Sequence, residues 1–507
     1  MYESKKKLFM GIDVGTQSAR VGLCDSKGTL VATGSKGYTI SYPAPGWAEQ
    51  DPYDWWWSIC KATRECIEKT SINPLSIEGI SFDATSSTVL LVDRAGNPLE
   101  RAILWMDQRA VAETNMIMET NHPVLKYVGG QDSVEWMVPK ALWIKFHKPE
   151  LFQRSHRIIE ATDWIAFKLS GKWTASLCNA TCKWNYVSVE GGWPKSFFQA
   201  IGIPEILEKW PEEVVPMGRD IGKLTKEAAR DMGLPSGIPV AEGGIDAHVG
   251  LLGLNALDPL KMGLIMGSSN VMFVLRDEPV YSQNFWGPYP DAIIPDKWLI
   301  EAGQTSSGSI INWFLEFMRW IPGNNRIEKE KILAILEEEI DNIPPGSEGL
   351  VVLDYWQGNR TPRRNPKARG IIFGLTLGHS IRHLFKSIYE GISFGTRHII
   401  ESLNSHGINI QIIVAGGGGV RSKIWTQLTA DICGIPILIP RYADYCCVIG
   451  AAICAACGSG LYPSLFDAAC NMVSIERKVE PRGSKKIYED SYQKYLHLYE
   501  STKHLLF

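Results

Sequence analysis

The sequence has no long apolar run. Its 507 residues are 45% hydrophobic, yet no stretch reaches the roughly 20 residues that a membrane-spanning helix needs. The basic start, MYESKKKLFMGID, is interrupted at Asp13 before an apolar segment of signal-peptide length can form. We therefore expect a cytoplasmic protein with no membrane partner.

No charge of one sign dominates the chain. Lys and Arg together number 52, Asp and Glu number 55, and the formal net charge is -3. A nucleic-acid-binding or membrane-surface protein concentrates positive charge, and this balance does not. No nucleic-acid partner is expected, and a small-molecule ligand is favoured.

Cysteine patterns typical of metal sites are scarce. Eleven cysteines are scattered along the chain, and the closest sets are Cys446-Cys447, Cys178 with Cys182, and the C-x-x-C of Cys454 and Cys457. No second pair accompanies that C-x-x-C, so the spacing does not predict a zinc site. Buried free thiols in a reducing cytosol are the expected state.

The chain alternates short strands with helices. Residues Leu8–Cys24 predict strand, turn and strand, and a hairpin turn leads to a third strand at Thr29–Thr33. A helix is predicted through WWWSICKATRECIEKT, followed by strands at Ile77–Phe82 and Ser87–Val92. This alternation indicates an α/β fold, and the length favours two or three domains.

The opening pattern is repeated in the second half. GLIMGSSNVMFVLRDEP again reads as apolar strand, small polar turn and apolar strand, with residues 267–270 (GSSN) standing where residues 15–18 (GTQS) stood. Two such units, about 250 residues apart, predict two domains built alike with a cleft between them. We place the boundary in NALDPLK, which gives domains 1–256 and 257–507.

The first turn has the residue types that bind a phosphate and its metal ion. Gly15 lets backbone N–H groups approach phosphate oxygens, Thr16 adds a hydroxyl donor, and Gln17 completes the turn. Asp13 ends the preceding strand and can hold Mg²⁺ directly or through water. Arg20 could add positive charge. A β-turn with a locally satisfied aspartate is the alternative.

Two further segments could contact a nucleotide. Gly267, Ser268 and Ser269 form the second candidate phosphate turn. The run AGGGG at residues 415–419 follows an apolar strand, Ile410–Val414, and precedes a predicted helix, Ser422–Ile432; its glycines allow close approach to a base and ribose. It is neither a Walker A loop nor a complete G-x-G-x-x-G fingerprint. A tight strand–helix connection is the alternative.

Asp246 is the candidate general base. It follows an apolar strand and two glycines in VAEGGIDAH, a position from which a carboxylate can accept a hydroxyl proton. Glu242 and His248 are neighbours that the sequence does not separate from it.

Polar side chains that could bind sugar hydroxyls come from four places, namely Asp83–Thr88 (DATSST), Lys183, Glu301 and Gln304. Tryptophan-rich stretches offer stacking surfaces, although core positions explain most of them. For Lys183 the alternative is a surface lysine whose stem packs on Trp184.

Taken together, these pieces resemble the FGGY family of carbohydrate kinases. The matching segments occur in the family's order from about Leu8 to Gly458: GIDVGTQSARVGLCD, GWAEQDPYDWW, LWMDQRA, EATDWIAFKLSG, VAEGGIDAHVG, MGSSNVM, AGGGGVRSKIWTQLTADICGIPI and IGAAICA. The resemblance implies two ribonuclease-H-like domains of the actin/hexokinase type, with ATP in the interdomain cleft and Mg²⁺ as cofactor. It also implies closure on a sugar.

The resemblance carries over to particular residues. It implies that Asp246 is the catalytic base and that Asp13 and Thr16 face the Mg-phosphate. The adenosine end would be lined by Gly416, Gly417, Ser422, Trp425 and Gln427, with Gly418 in the same glycine run.

Three segments are similar to ribulokinases and related five-carbon sugar kinases. They place Lys183 and Glu301 on the sugar and Ser86 beside its keto end. Two departures stand out. The chain is shorter than a typical L-ribulokinase, which counts against L-ribulose. The stretch RYADYCC replaces residues that are often Glu and Ala in the family, which leaves Asp444 without an assigned role.

The implied reaction is ketopentose + ATP → ketopentose 5-phosphate + ADP, with D-ribulose as first choice. L-ribulose, xylulose and polyols such as erythritol or ribitol stay open as substrates, and a homodimer is the assembly considered. A catalytically silent sugar-binding regulator is the alternative from another class, which the intact Asp13, Asp246 and glycine run disfavour. An actin- or Hsp70-like ATPase module is a third, disfavoured because no peptide-binding segment follows.

Overall fold

The computed structural model describes residues 7–320 and 327–505. Within these ranges no helix combines the length and apolar character needed to cross a membrane.

The strands are β1 (Leu8–Val14), β2 (Ser18–Asp25), β3 (Leu30–Gly37), β4 (Glu49–Gln50), β5 (Ile77–Ala84), β6 (Val89–Val92), β7 (Ala102–Ile103), β8 (Arg157–Glu160), β9 (Thr174–Ser176), β10 (Glu213–Val215), β11 (Asp220–Lys223), β12 (Pro239–Ala241), β13 (Gly244–Ile245), β14 (Lys261–Met266), β15 (Asn270–Arg276), β16 (Trp286–Pro290), β17 (Trp298–Gln304), β18 (Val351–Leu353), β19 (Ile371–Phe373), β20 (Ile412–Gly416), β21 (Ile437–Pro440) and β22 (Ile475–Val479).

The helices are α1 (Pro52–Glu68), α2 (Val111–Glu119), α3 (Met137–His147), α4 (Pro149–Arg154), α5 (Ala161–Ser170), α6 (Leu177–Lys183), α7 (Lys195–Ala200), α8 (Ile206–Lys209), α9 (Lys226–Met232), α10 (Asp246–Leu254), α11 (Gly308–Arg319), α12 (Lys329–Ile340), α13 (Ile381–Ser405), α14 (Lys423–Cys433), α15 (Cys446–Gly458), α16 (Leu465–Met472) and α17 (Glu489–Thr502).

The described residues form two compact units. The first takes them from Met1–Leu257, Leu275–Ile300 and Tyr445–Ser474, and the second takes the remainder. The predicted boundary at residues 256 and 257 stays a prediction, and sequence reasoning did not anticipate the two later segments in the first unit. One of them contains α15, which carries no charged residue and is largely buried against β1, β5 and α10.

The first unit is built on a mixed sheet. Its strand order is β11-β12-β5-β1-β2-β3, and β13 also pairs with β5. β1 runs parallel to β5 and antiparallel to β2. Every residue of β1 is buried. The predicted opening strands and the helix α1 are therefore present, and α1 begins at Pro52 with the Asp51 side chain as its N-cap.

Glycines let α10 and α15 pack closely in this unit. A Cβ added to Gly253 would lie 1.9 Å from the carbonyl oxygen of Cys446, and one on Gly450 would lie 1.9 Å from that of Val249. Since no larger residue fits at either position, this contact fixes α10, the helix that begins at Asp246.

The second unit repeats the opening topology. β14 runs antiparallel to β15 and parallel to β20, as β1 does with β2 and β5. The sheet continues as β17-β15-β14-β20-β21-β22. The repeated strand–turn–strand pattern of the sequence is therefore a repeated fold element.

Two late segments differ from prediction. Residues 358–370 (GNRTPRRNPKARG) are basic and rich in Pro and Gly, which predicts a surface loop. Asn359, Thr361 and Ala368 of this loop are nevertheless buried. The charged residues from Lys478 onward predict a helical tail. Lys478 itself lies in β22, and the helix of the tail is α17. Tyrosines along α17 are buried, which explains why this polar-looking segment packs so closely on its unit.

Candidate active site

Three aspartates meet at one edge of the first unit's sheet. Asp13 on β1 is in register with Asp83 on the parallel strand β5. Gly244 on β13 is in register with the same Asp83, and Asp246 begins α10 two residues later. Ligand sites form at the carboxyl ends of parallel strands. The fold therefore brings the predicted metal ligand and the predicted base to one edge, with Asp83 on the strand between them.

Asp13 is buried and ion-paired. Its Oδ2 lies 2.6 Å from a guanidinium nitrogen of Arg20, the residue opposite it on β2. Burial raises the pKa of Asp13, while the positive charge of Arg20 opposes that rise. In the sequence, Arg20 was only a possible source of positive charge. In the structure its guanidinium favours the ionised form of Asp13.

Asp83 has the most strongly perturbed environment of the three. It is fully buried. Burial, followed by the negative charges of Asp13 and Asp246, raises the pKa of Asp83 well above its usual range. Sequence reasoning grouped Asp83 with possible sugar ligands and missed this role. The sequence does contain a hint of this role. In GISFDA, as in MGIDV, an aspartate stands near the end of an apolar strand.

Asp246 remains accessible at the start of α10. It is half-buried, and its Oδ1 accepts a hydrogen bond from the Ala247 N–H at 2.7 Å. Burial and the nearby charge of Asp13 raise the pKa of Asp246 to about 7. Its two sequence neighbours are placed differently: Glu242 and His248 are both buried. Among these three side chains, Asp246 is the one a substrate can reach.

The first predicted phosphate turn is hydrogen-bonded to two residues from other segments, Tyr38 and Trp105. The Tyr38 hydroxyl donates to the Gly15 carbonyl at 2.5 Å, and the Tyr38 N–H donates to the Gln17 carbonyl at 3.0 Å. The Trp105 indole N–H donates to the Thr16 hydroxyl at 3.0 Å. Tyr38 was not predicted from the sequence, and the tryptophans were considered there only as core residues or stacking surfaces. These contacts fix the turn before any ligand binds.

Ser86 lies at the tip of a loop that two buried charged residues hold in place. The next residue, Ser87, adopts a left-handed conformation with φ of 53°. Its N–H donates to the Glu160 carboxylate at 2.7 Å, and its carbonyl accepts from the Lys140 ammonium at 2.7 Å. Lys140 also donates to two other backbone carbonyls at 2.7 Å. Burial lowers the pKa of Lys140 to about 7. The roles of Lys140 and Glu160 were not predicted from the sequence.

Lys183 is buried beside two aromatic rings. It ends α6, is 4% exposed, and its ammonium lies 4.9 Å from the ring centre of Trp136 and 5.7 Å from that of Tyr289. The alternative of a surface lysine on Trp184 is therefore wrong. Trp184 is itself buried, with its indole N–H donating to the Glu160 carboxylate.

Asp132 lies close to Lys183 and was not predicted. It is 7% exposed, and its Oδ1 accepts from the Ser133 N–H at 2.8 Å. Its Oδ2 has no hydrogen-bond partner among the described residues. The same turn carries Trp136, which covers the Lys183 ammonium. Burial raises the pKa of Asp132 to about 7, and the Lys183 charge limits that rise.

The second unit brings its predicted nucleotide residues together. Ile265 on β14 is in register with Gly416 on the parallel strand β20, so the turn Gly267–Ser269 and the run Gly416–Gly418 leave the same sheet edge. Gly417 has φ of 83°, and a Cβ there would lie 2.7 Å from the carbonyl oxygen of Met266. Only glycine permits this approach.

Family comparison agrees with this paired architecture. The model for the N-terminal domain of the "FGGY family of carbohydrate kinases" matches residues 8–253, and the model for its C-terminal domain matches residues 262–459. This chain belongs to the FGGY family of carbohydrate kinases.

Curated relatives of this FGGY kinase match along nearly its whole length. An FGGY carbohydrate kinase domain-containing protein from Xenopus laevis is 34% identical over 97% of this chain and 96% of its own. A ribulokinase from Geobacillus thermodenitrificans is 32% identical over 98% and 94%, and a D-ribulokinase from Saccharomyces cerevisiae is 30% identical over 97% and 76%.

Solved structures share the fold. The structure of a xylulose kinase from Rhodospirillum rubrum is 24% identical, covers 99% of this chain and 100% of its own, and superposes with a TM-score of 0.83. The predicted two-domain α/β fold is confirmed, as is the prediction of an ATP-dependent sugar phosphotransferase.

Three predicted adenosine contacts of the FGGY kinase occupy supporting positions. Ser422 caps α14, its hydroxyl accepting from the Trp425 N–H at 3.1 Å. Trp425 is buried and stacks on Tyr389, and a Cβ on Gly419 would lie 2.7 Å from the Trp425 ring. The Gln427 amide donates within α14 and to the Glu480 carbonyl. The buried ring of Trp425 therefore packs against Gly419 and supports the glycine run from the core side.

Two residues predicted for the sugar lie on β17. Glu301 is nearly buried in the second unit. Gln304 was wrongly assigned to sugar hydroxyls. Its amide N–H groups donate to the Asp354 carboxylate at 2.7 Å and to the Ile392 carbonyl at 2.8 Å, and its carbonyl oxygen accepts from Asn270 at 2.9 Å. Its polar atoms are committed to this buried network.

Proposed function

We propose that this FGGY kinase phosphorylates a ketopentose, with D-ribulose as its preferred substrate and D-ribulose 5-phosphate as its product. The observation that carries the proposal is the aspartate edge, where the accessible Asp246 stands beside the buried pair of Asp13 and Asp83. The D-ribulokinase and ribulokinase relatives support the substrate class.

Asp246 acts as the general base. Its carboxylate accepts the proton of the sugar 5-hydroxyl, and that oxygen forms a bond to the γ-phosphorus as the bond from the γ-phosphorus to the β–γ bridging oxygen breaks. ADP leaves with the electron pair of the broken bond. A pKa near 7 suits a base at neutral pH, because the ionised form is populated while proton affinity stays useful.

The aspartate edge fits Mg²⁺. Carboxylate oxygens are its preferred protein ligands. Neither oxygen of Asp83 accepts a hydrogen bond from any amide, hydroxyl, ammonium or guanidinium group in the described chain. Asp13 would hold the ion directly or through water, with Asp83 beside it. Bound there, Mg²⁺ would offset negative charge on the transferring phosphoryl group.

The phosphates of ATP are bound by backbone and hydroxyl groups. The candidates are Gly15, Thr16 and Gln17 in the first unit, and Gly267, Ser268 and Ser269 in the second. Gly416, Gly417 and Gly418 offer a flat backbone surface for the nucleoside. The close approach of Gly417 to the Met266 carbonyl supports this, since it brings the glycine run against the end of β14, where the second candidate phosphate turn begins.

The sugar is recognised by opposite charges. Lys183 donates to the keto oxygen or a neighbouring hydroxyl. Asp132, whose Oδ2 lacks a partner in the described residues, accepts from a hydroxyl hydrogen. Ser86 belongs to this set of contacts, and Glu301 is a separate candidate for a sugar hydroxyl. Burial makes these contacts selective. An isomer with a misplaced hydroxyl would leave a desolvated protein group without a hydrogen-bond partner, which costs binding free energy.

A substrate panel tests the proposal. Purified protein is assayed by coupled ADP release with D-ribulose, L-ribulose, D-xylulose, ribitol and erythritol, ranked by kcat/KM. D-ribulose is expected to rank first, with one sugar phosphate formed per ADP. ADP release without sugar would indicate an ATPase module, and sugar binding without ADP release would indicate a silent regulator; either result overturns the proposal.

A further inference from the structure

Two cysteines and a histidine converge inside the first unit. Cys178, Cys182 and His248 are all buried, and one ligand atom from each lies within 4.8 Å of the other two. The cysteines are four residues apart on α6, which places both thiols on one face of the helix. The histidine comes from α10. The spacing of the two cysteines in the sequence does not predict that His248 lies beside them.

The donor set matches a thiophilic metal ion. Zn²⁺ binds Cys sulfur at about 2.3 Å and His nitrogen at about 2.0–2.1 Å in a tetrahedral arrangement. That geometry separates the donor atoms by roughly 3.5–3.8 Å. The observed cluster therefore needs to contract by no more than about 1 Å.

Charge also favours this ion at a buried position. On binding, the two thiols lose their protons to solvent, and two thiolates with a neutral imidazole balance a divalent cation. The resulting complex has no net charge, so its burial avoids the large cost of an isolated buried ion. Soft thiolate ligands select such ions over Mg²⁺, which prefers oxygen.

We propose that Cys178, Cys182 and His248 form a binding site for a thiophilic divalent ion, with Zn²⁺ as its representative. The site is separate from the carboxylate edge assigned to Mg²⁺. It would join α6 and α10 directly, and each of these helices already contacts β13. A Cβ on Gly244 would lie 3.2 Å from the Cys178 Cβ, and the Ser176 hydroxyl donates to the Gly243 carbonyl at 2.7 Å.

Occupancy of this site acts on the two helices that carry site residues. Cys182 precedes Lys183 in α6, and His248 follows Asp246 by one turn or less in α10. Drawing the donors together moves both helix segments, so ion binding changes sugar turnover. This consequence rests on the proposed function, whereas ion binding itself does not.

Equilibrium dialysis against Zn²⁺ tests the site on the full chain, with bound metal measured by mass spectrometry. We expect one equivalent bound by the wild type and by Cys60→Ala, a buried cysteine in α1 outside the cluster. Cys178→Ala and Cys182→Ala should bind at least about tenfold more weakly, since each loses one of three ligands. Equal affinity in all four proteins would overturn the proposal.

Cobalt provides a readout that needs no variant. Co²⁺ bound to thiolates gives an intense sulfur-to-cobalt charge-transfer absorption, whereas Co²⁺ on carboxylates does not. The wild type should show this band at one equivalent, and Zn²⁺ should displace it. Absence of the band would contradict the site even if the cysteine variants failed to fold. Failure of the sugar assay would leave this result intact, so the two proposals fail separately.

Discussion

Asp83 stands directly opposite Asp13 on neighbouring parallel strands, and both carboxyl groups are buried. Two such groups cannot both ionise cheaply in a desolvated place, which is why the pKa of Asp83 is raised so far. A divalent cation bound at this edge would relieve the repulsion. The two buried carboxyl groups therefore destabilise the ligand-free protein, and they are placed to bind a cation.

The first prediction concerns stability. The raised pKa of Asp83 means that the folded state holds this proton more tightly than the unfolded state does. Its contribution is favourable at low pH and is lost as pH rises toward the folded pKa. Asp83→Asn should therefore be more stable than wild type at about pH 8 without divalent cations, because asparagine has no ionised form to bury, and the difference should shrink at about pH 5.

Urea unfolding at about pH 5 and about pH 8 checks this, with Glu68→Gln, an exposed carboxylate on α1, as control. The control should follow the wild type at both pH values. If Asp83→Asn loses as much stability as wild type between them, the assigned burial cost is wrong.

The second prediction concerns the metal ion. Asp13→Ala removes the carboxylate proposed to anchor Mg²⁺ or its water shell, so the Mg²⁺ concentration for half-maximal rate should rise and kcat should fall. Titration of Mg²⁺ at saturating sugar and ATP measures both. Superimposable titrations for mutant and wild type would show that Asp13 is only a turn residue.

The third prediction concerns pH dependence. A base with a pKa near 7 is protonated and inactive below that pH, so kcat/KM for the sugar should rise with pH and level off above about 7. On the acid side the loss should approach tenfold per pH unit. A profile that stays flat down to about pH 5 would mean that no group with this pKa accepts the proton.

The fourth prediction concerns Lys183. Lys183→Met leaves the keto or neighbouring hydroxyl oxygen of a ketopentose unpaired, at a cost of about 1–3 kcal/mol. That equals roughly a 5- to 150-fold loss in kcat/KM for D-ribulose. Ribitol, which lacks the carbonyl, should lose much less.

Steady-state kinetics on both substrates measure the difference, with Lys195→Met, an exposed lysine, as the matched control. Unchanged values on both substrates would remove the residue-level reason for preferring a ketopentose. Equal losses on both would place Lys183 on a hydroxyl that the two substrates share.

Local patterns predicted much of the fold. The opening strands, the repeated strand–turn–strand unit and the glycine run all depend on apolar periodicity and small turn residues, which act over a few positions. The aspartate edge was half-predicted. Asp13 and Asp246 end apolar segments beside glycines, but their meeting at Asp83 depends on strand order, which no local pattern encodes.

Residues whose role comes from burial were missed. Lys140 and Glu160 look like ordinary charged residues until the fold removes water from them and aims both at Ser87. Gln304 was misassigned for the same reason, because its amide is satisfied by partners distant in sequence. Likewise, the sequence shows the cysteine pair on α6 but not the histidine that joins it.

Replacing Asp246 by Asn tests the central claim most directly. The change keeps the shape of the side chain but removes its ability to accept a proton, so kcat should fall by about 10²- to 10⁴-fold. Calorimetric titration should show ATP and D-ribulose binding nearly unchanged, which excludes misfolding as the cause. If kcat instead stays within about threefold of wild type, Asp246 is not the base and the account of catalysis at this edge is contradicted.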